Sequence, residues 1–343
     1  MNIAVTADPE LPVPPALYGG IERIIAMLVD GYVALGHNVS LFAHRDSVTA
    51  AKLYPYPATG NTKTDVVKNA YLINKTLFLS PPQIIHSFGR LAYLLPQLPL
   101  SIPKLMSYQR EPTISMVKKS CSIAKKNTLA FTGCSDYISG KIAPYAPVFT
   151  IYNGVDPAKY QFIESVAPDG PLVFLGRIEP IKGTHIAITI AQRTGRKLII
   201  AGNIPQGQQH YFDQQITPHL NDSIKYAGVV NDEQKNTLLG QASALLMPIE
   251  WNEPFGIVMV EAMACGTPVI GYNKGALPEV VEHGVTGFYG DSLEELIAGT
   301  SRLGTISRKK VRLRFEQRFA AEVIIGNYLK LYQNLIHPFN HKT

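Results

Sequence analysis

The sequence predicts an α/β fold of two doubly wound, Rossmann-like domains in series, facing a cleft. Three observations carry this expectation. The chain has 343 residues, room for two domains at about 150 residues each. Apolar residues make up 46% and charged residues 17%, so each half can bury its own core. Each half also repeats a strand–helix–strand rhythm, with glycines where strands end.

In the first half, Ile3 to Thr6 reads as a strand. A proline-rich loop (Pro9, Pro12, Pro14, Pro15) follows and ends at Tyr18-Gly19-Gly20. Ile24, Ile25, Leu28, Val29 and Tyr32 fall at helical spacing, which predicts a helix over about Ile21 to Leu35, stopped by Gly36. Val39 to Ala43, Ile84-Ile85-His86, Lys104 to Tyr108, Leu129 to Thr132 and Val148 to Tyr152 read as strands. A helix is expected from Ile114 to Lys126, and another from Ser135.

Residues 157–171 look like a linker. In the second half, Leu172 to Leu175, Leu198 to Ala201, Ala244 to Met247 and Pro268 to Gly271 read as strands. Helices are expected at Thr184 to Arg193 and Phe255 to Cys265, and Phe315 to Leu335 as one terminal helix. The expected domains are 1–160 and 161–315, with the helix of about 316–343 crossing back onto the first. In doubly wound sheets ligands sit at the carboxyl ends of the strands, so the site is expected on strand-end loops.

Composition limits the function classes. The three cysteines, Cys121, Cys134 and Cys265, match neither a metal cage nor a CxxC pair, and read as unpaired thiols in a reducing compartment. The N-terminus lacks a signal-peptide pattern and no run of 18 apolar residues occurs, so a soluble cytoplasmic protein is expected. Residues 1–150 hold 14 Lys+Arg against 8 Asp+Glu, while residues 151–343 hold 18 of each. The basic excess of the first half suits an anionic partner, such as the inner face of a membrane or an acidic acceptor, or is a solvated face. Lys118-Lys119 and Lys125-Lys126 share a face of the expected helix and leave the same two readings. No nucleic-acid-binding signature accompanies the charge.

The chemistry concentrates in Glu253-Pro254-Phe255-Gly256-Ile257-Val258-Met259-Val260-Glu261. Glu253 precedes a helix start, and Glu261 lies about two turns along it. The amides of Phe255, Gly256, Ile257 and Val258 are expected as unpaired first-turn donors, which with the helix dipole attract an anion. A sugar nucleotide offers hydroxyls on hexose and ribose for the two carboxylates, and a diphosphate for the amides. The bland alternative is a surface helix with acidic ends. Arg177 and Lys182 follow the strand Leu172 to Leu175 and are bracketed by Gly176 and Gly183; two cations there suit a departing diphosphate. Gly19 and Gly20, before a helix, allow close approach of a phosphate or sugar. Gly202 ends its strand on the same expected donor side. Trp251 is the only tryptophan, suited to stacking on a sugar or to core packing.

The run from Pro248 to Val269 resembles retaining glycosyltransferases of family 4, of the group 1 type and GT-B architecture, whose E-x7-E motif it matches. Five further stretches resemble that family's signatures in order: Tyr18-Gly19-Gly20-Ile21-Glu22-Arg23, Asn153-Gly154-Val155-Asp156, Gly176-Arg177-Ile178 through Lys182-Gly183, Gly275 to Glu279, and Gly284 to Phe288. The resemblance implies retaining transfer of a hexose from a nucleotide diphosphate sugar to a hydroxyl acceptor. The setting would be polysaccharide, lipopolysaccharide or glycolipid synthesis, with a carbohydrate, lipid-linked or small-molecule acceptor. UDP-hexose is the favoured co-substrate, and no cofactor is required. No Asp-x-Asp motif occurs, so no metal is expected.

It also implies that Arg177 and Lys182 hold the diphosphate, Glu253 faces the hexose and Glu261 the ribose. His86 would contact the donor sugar or reacting centre, or else is a core histidine. Many members carry a second histidine where this chain reads Gln109-Arg110, so those two residues are the acceptor-side candidates. The rival readings are a non-catalytic sugar-nucleotide-binding regulatory subunit and a sugar-nucleotide epimerase or phosphorylase of the same fold class.

Overall fold

Strands buried on both faces, joined by helices, can only be laid side by side in parallel, and that pattern organises both units of this chain. The computed structural model describes residues 1–16, 19–167 and 169–337; Tyr18 and the last residues of the expected terminal helix lie outside them. Residues 1–153 together with those from Ala321 onward form the first unit, and 154–320 the second. The division falls after Asn153 instead of at 160.

The first unit runs β1 (Asn2–Thr6), α1 (Gly20–Ala34), β2 (Asn38–Ala43), β3 (Lys52–Pro55), α2 (Lys63–Leu79), β4 (Ile84–Ser87), β5 (Lys104–Tyr108), α3 (Ile114–Ile123), β6 (Leu129–Gly133), α4 (Asp136–Ile142) and β7 (Val148–Thr150). Its strands form one sheet in the order β3-β2-β1-β4-β5-β6-β7, every neighbour parallel. The winding reverses between β1 and β4, where Val5 lies beside His86. Ile24, Ile25, Leu28, Val29 and Tyr32 are the buried stripe of α1, as their spacing requires. Thr62 and Asp65 cap the start of α2 reciprocally. α3 ends three residues earlier than expected: Ala124 is extended and the Lys125 amide turns to Leu98 O at 2.8 Å, so Lys125 and Lys126 lie past the helix.

The second unit runs β8 (Leu172–Leu175), α5 (Thr184–Thr194), β9 (Leu198–Ala201), α6 (Gln209–Gln215), β10 (Ile224–Gly228), α7 (Asp232–Gln241), β11 (Ala244–Met247), α8 (Ile257–Ala264), β12 (Val269–Tyr272), α9 (Leu277–Val280), β13 (Gly287–Gly290), α10 (Leu293–Ser301) and α11 (Arg308–Arg318). Its sheet has the order β10-β9-β8-β11-β12-β13, again parallel throughout. The winding reverses between β8 and β11. The buried Arg308 guanidinium donates to four carbonyls, of Ile163, Ala242, Gly240 and Cys265, and to Thr267 Oγ1, at 2.7–3.1 Å. It thereby fastens the supposed linker to the body of this unit.

The expected single terminal helix is two. Phe319 and Ala320 break it because they pair as a short strand: Val155 N donates to Phe319 O at 3.1 Å and Val155 bridges Ala320. α12 (Ala321–Ile336) then belongs to the first unit and lies on α1. No helix among the described residues is long and apolar enough to cross a membrane.

α12 explains His86. This residue is inside β4 and fully buried, not in a strand-end position open to a ligand. Its Nδ1 lies 2.5 Å from Tyr332 Oη and its Nε2 2.6 Å from Ser107 Oγ, while Tyr332 Oη is 3.0 Å from Tyr32 Oη. The reading of His86 as a donor-sugar or catalytic residue is therefore corrected: both ring nitrogens are taken inside the fold, Nδ1 by Tyr332 of α12 and Nε2 by Ser107 of β5. Burial pulls its pKa down from 6.5 to about 3. The unfolded chain binds a proton near pH 6.5 and the folded one does not, so this histidine's contribution is intact above 6.5 and drains away as pH falls toward 3. The urea midpoint of the wild type should fall more steeply below pH 6.5 than that of His86→Gln. Equal slopes would mean that His86 does not stay neutral.

Candidate functional site

The site expected on the E-x7-E segment lies where the second sheet reverses its winding. Loops leaving β8 and β11 there start side by side and point the same way, so their residues meet. Backbone contact sets the spacing. Glu250 N donates to Ile181 O at 3.0 Å, and a Cβ on Gly183 would stand 2.0 Å from Pro248 O. Gly183 also has φ of +73°, so only glycine fits.

This approach brings Lys182, at the end of the β8 loop, onto Glu253 of the β11 loop. Lys182 Nζ donates to Glu253 Oε2 at 2.5 Å, and the Trp251 indole N–H donates to the same oxygen at 3.0 Å. The ammonium also lies 5.3 Å from the Trp251 ring centroid. Trp251 thus belongs to the site and not to the core. Glu253 is held from behind: its carbonyl accepts from Ala276 N at 3.0 Å, and a Cβ on Gly275 would meet its backbone oxygen at 2.4 Å. Arg177, at the β8 end, pairs with Glu179 at 2.8 Å and is half-exposed. Gly202 closes the neighbouring β9 end, where its carbonyl accepts from Tyr226 Oη at 2.7 Å and a Cβ would strike Gly176 O.

α8 begins at Ile257, two residues later than expected. Gly256 has φ of +78° and serves as its N-cap, which excludes it and Phe255 from the helix. Phe255 is buried, with its ring 6.2 Å from that of Phe319, so its assignment as a first-turn amide donor is corrected. Ile257 and Val258 remain as the first-turn amides, since Met259 N already donates to Gly256 O at 2.9 Å.

Glu261 is 4% exposed and held by two residues that sequence reasoning missed. Tyr160 Oη donates to its Oε1 at 2.7 Å, and Lys235 Nζ, from α7, donates to the same oxygen at 2.5 Å. The signal for Lys235 was faint: the reciprocal capping of Asn231 and Gln234 marks the helix, but nothing ties it to Glu261 across 26 positions.

Of the remaining predicted residues, Gly19 and Gly20 open the helix that follows β1, while Gln109 and Arg110 follow β5, Arg110 reaching back to Asp8 at the β1 end. Gly19 is the N-cap of α1, with φ of +149°, and Gly20 is its first residue. A Cβ on Gly19 would meet Glu22 Oε2 at 2.7 Å. Arg110 donates to Asp8 Oδ2 at 3.0 Å, and Arg90 to Glu10 Oε1 at 3.1 Å. Burial raises the pKa of Asp8, against the pull of Arg110, and burial also raises that of Glu22. The Gln109 carbonyl accepts from Asn153 at 2.7 Å, leaving a buried amide nitrogen without a partner among the described residues. Asp8 and Arg90 were not singled out from sequence, and Glu22 entered only within the Tyr18-to-Arg23 signature; the end of the first strand was the available pointer to Asp8.

The sequence profile described as Glycosyl transferases group 1 matches residues 161–313. The second unit is a glycosyl transferases group 1 domain. Mycobacterium tuberculosis glycogen synthase is 36% identical over 149 residues, which are 41% of this chain and 36% of that protein. The chain thus spans about a third of that relative. Spore coat protein SA of Bacillus subtilis is 24% identical over 96% of this chain and all of its own length. Among solved structures, AviGT4, a glycosyltransferase involved in avilamycin A biosynthesis, superposes with a TM-score of 0.74 at 25% identity, covering 98% of both chains. Sucrose-phosphate synthase from Thermosynechococcus elongatus gives 0.79 at 18% identity, over 98% of this chain and 99% of that one. Anabaena HepE, solved with UDP and glucose, gives 0.73 at 20% identity, over 97% and 99%. The architecture is GT-B.

The buried pairing of Glu261 yields a stability test. Lys235→Met leaves a nearly buried carboxylate uncompensated and should cost about 3 kcal/mol in urea unfolding, part of it restored by adding Glu261→Gln. A neutral Lys235→Met would show that Glu261 is already solvated.

Proposed function

We propose that this protein is a retaining glycosyltransferase that moves a hexose from a nucleotide diphosphate sugar to a hydroxyl acceptor. The observation that carries the reading is the Lys182–Glu253 pair, joined across two strand-end loops at the reversal point of a group 1 domain. Such a pair presents a cation and a carboxylate to one ligand. The diphosphate takes Lys182 and Arg177, and a hexose hydroxyl takes Glu253. The two side chains satisfy each other until the donor arrives, so neither is left as a lone charge.

In the transfer, negative charge grows on the β-phosphate oxygen as the nucleotide leaves. In this reading Arg177, Lys182 and the first-turn amides of Ile257 and Val258 stabilise it. The leaving oxygen takes the acceptor's proton, and the protein mainly positions the reactants. Glu261, fixed by Lys235 and Tyr160 on one oxygen, keeps the other for a ribose hydroxyl. UDP is the nucleotide we favour, supported by the UDP-bound Anabaena structure of the same fold. We assign the acceptor side to the β1 and β4 ends of the first unit, around Asp8, Gln109 and Arg110. Polysaccharide, lipopolysaccharide or glycolipid synthesis is the setting this reading suggests.

A second reading is a sugar-nucleotide-binding subunit without turnover. The burial of His86 favours it, since the residue expected beside the reacting sugar is absent from the surface.

Thermal stabilisation by a panel of nucleoside diphosphates and their sugars, with and without EDTA, tests the donor site. One nucleotide should raise the midpoint, and EDTA should not abolish the shift; no shift with any of them would remove the donor site. Lys182→Ala should weaken diphosphate affinity about ten- to hundredfold in titration calorimetry, and unchanged affinity would move the phosphate site elsewhere. Glu253→Gln should lower turnover about a hundredfold or more with the fold retained. Binding without turnover on any acceptor would favour the second reading.

A further inference from the structure

We propose that the outer face of α2, with the basic α3 segment beside it, docks this protein onto an anionic lipid bilayer. The inference does not depend on the transfer reaction.

α2 has two apolar faces where a surface helix has one. Ile73 and Leu77 point inward and are buried. On the opposite side Val67 is 67% exposed, Tyr71 66%, Phe78 58% and Leu79 78%. Val67, Tyr71 and Phe78 fall at i, i+4 and i+11, so they share one stripe. Lys68 and Lys75 flank it, with Lys75 Nζ 5.9 Å from the Tyr71 ring centroid. The one acid of the helix, Asp65, sits in its first turn and caps Thr62.

The charge around this stripe is one-sided. Residues 66–80 and 113–126, which carry the stripe and the α3 segment, hold Lys68, Lys75, Lys118, Lys119, Lys125 and Lys126 and no acid; nearby Glu111 pairs with Lys141 at 2.7 Å. α3 lies on the same side of the sheet, because its Val117 enters the core cluster that holds Ile73 and Leu77 of α2. Its outer surface carries Lys118, Lys119, Met116 and Ile123, all exposed.

An anionic bilayer satisfies both chemistries at once. Hydrocarbon covers Val67, Phe78 and Leu79, while the lysines extend their stems along it and place their ammonium groups among phosphates. A nucleic acid would use the cations and leave the aliphatic groups uncovered. A second copy seated face to face would set lysines against lysines across the two-fold axis.

The test is co-sedimentation of the full chain with vesicles of phosphatidylcholine alone or with phosphatidylglycerol added. The wild type should pellet with the anionic vesicles, less so at high salt, and stay in solution with neutral ones. Tyr71→Ser combined with Phe78→Ser, and separately Lys68→Glu combined with Lys75→Glu, should each lower partitioning about tenfold or more with unchanged circular dichroism. A wild type that ignores anionic vesicles, or variants that pellet as it does, would overturn the proposal. So would a wild-type dimer in analytical ultracentrifugation that the Tyr71→Ser, Phe78→Ser variant loses, since the stripe would then be a subunit contact.

Discussion

The backbone approach of Gly183 to Pro248 is the constraint on which the geometry of the Lys182–Glu253 pair rests. Two parallel strands already bring their carboxyl ends together. What separates a tight site from a loose one is how closely the next few residues follow. With no side chain at Gly183, the β8 loop lies directly on the β11 loop, and the Glu250–Ile181 hydrogen bond locks the register. Lys182 and Glu253 then face each other because their neighbours in the chain are already fixed. Gly275 repeats the device on the far side of Glu253. Three loops are thus packed backbone to backbone, and the charged groups stand on a scaffold with little freedom to drift.

The two carboxylates of the motif occupy different environments. Glu253 shares its oxygen with a cation and an indole near solvent, whereas Glu261 is sunk at α8 and neutralised by Lys235. Identical residues eight positions apart therefore have separate tasks. One is half-buried, with a cation and an indole on the same oxygen. The other is a fixed acceptor whose orientation the protein supplies.

Much of this was legible in the sequence. Strands such as Lys104–Tyr108, Leu172–Leu175 and Ala244–Met247 were readable because central parallel strands are short apolar runs bounded by glycine or polar residues. The peripheral elements were not. β10 is an edge strand whose alternate residues face water, and α7 is nearly all polar, so neither carries the pattern of a buried segment. α2 hid for the opposite reason: apolar residues on both faces blur its period. Lys182 and Glu253 were singled out from the glycine-bracketed loop and the E-x7-E motif, and the fold brings their side chains together. His86 was misplaced because a histidine near a strand end reads the same whether its ring meets a ligand or a tyrosine from a helix 246 positions away. Lys235 and Tyr160 were missed for the same reason of distance along the chain.

The return of α12 has a consequence for biosynthesis. The seven strands of the first sheet are complete at Thr150, but the tyrosines that cover His86 and Ser107 follow the whole of the second unit in the chain. During translation the first unit waits on the order of ten seconds or more with that polar seam open. The partners of the second unit's Arg308 clasp all lie within its own span and are made before Tyr332 is. The half made earliest is finished last, and a nascent chain interrupted before Tyr332 leaves the ribosome with its first domain unsealed.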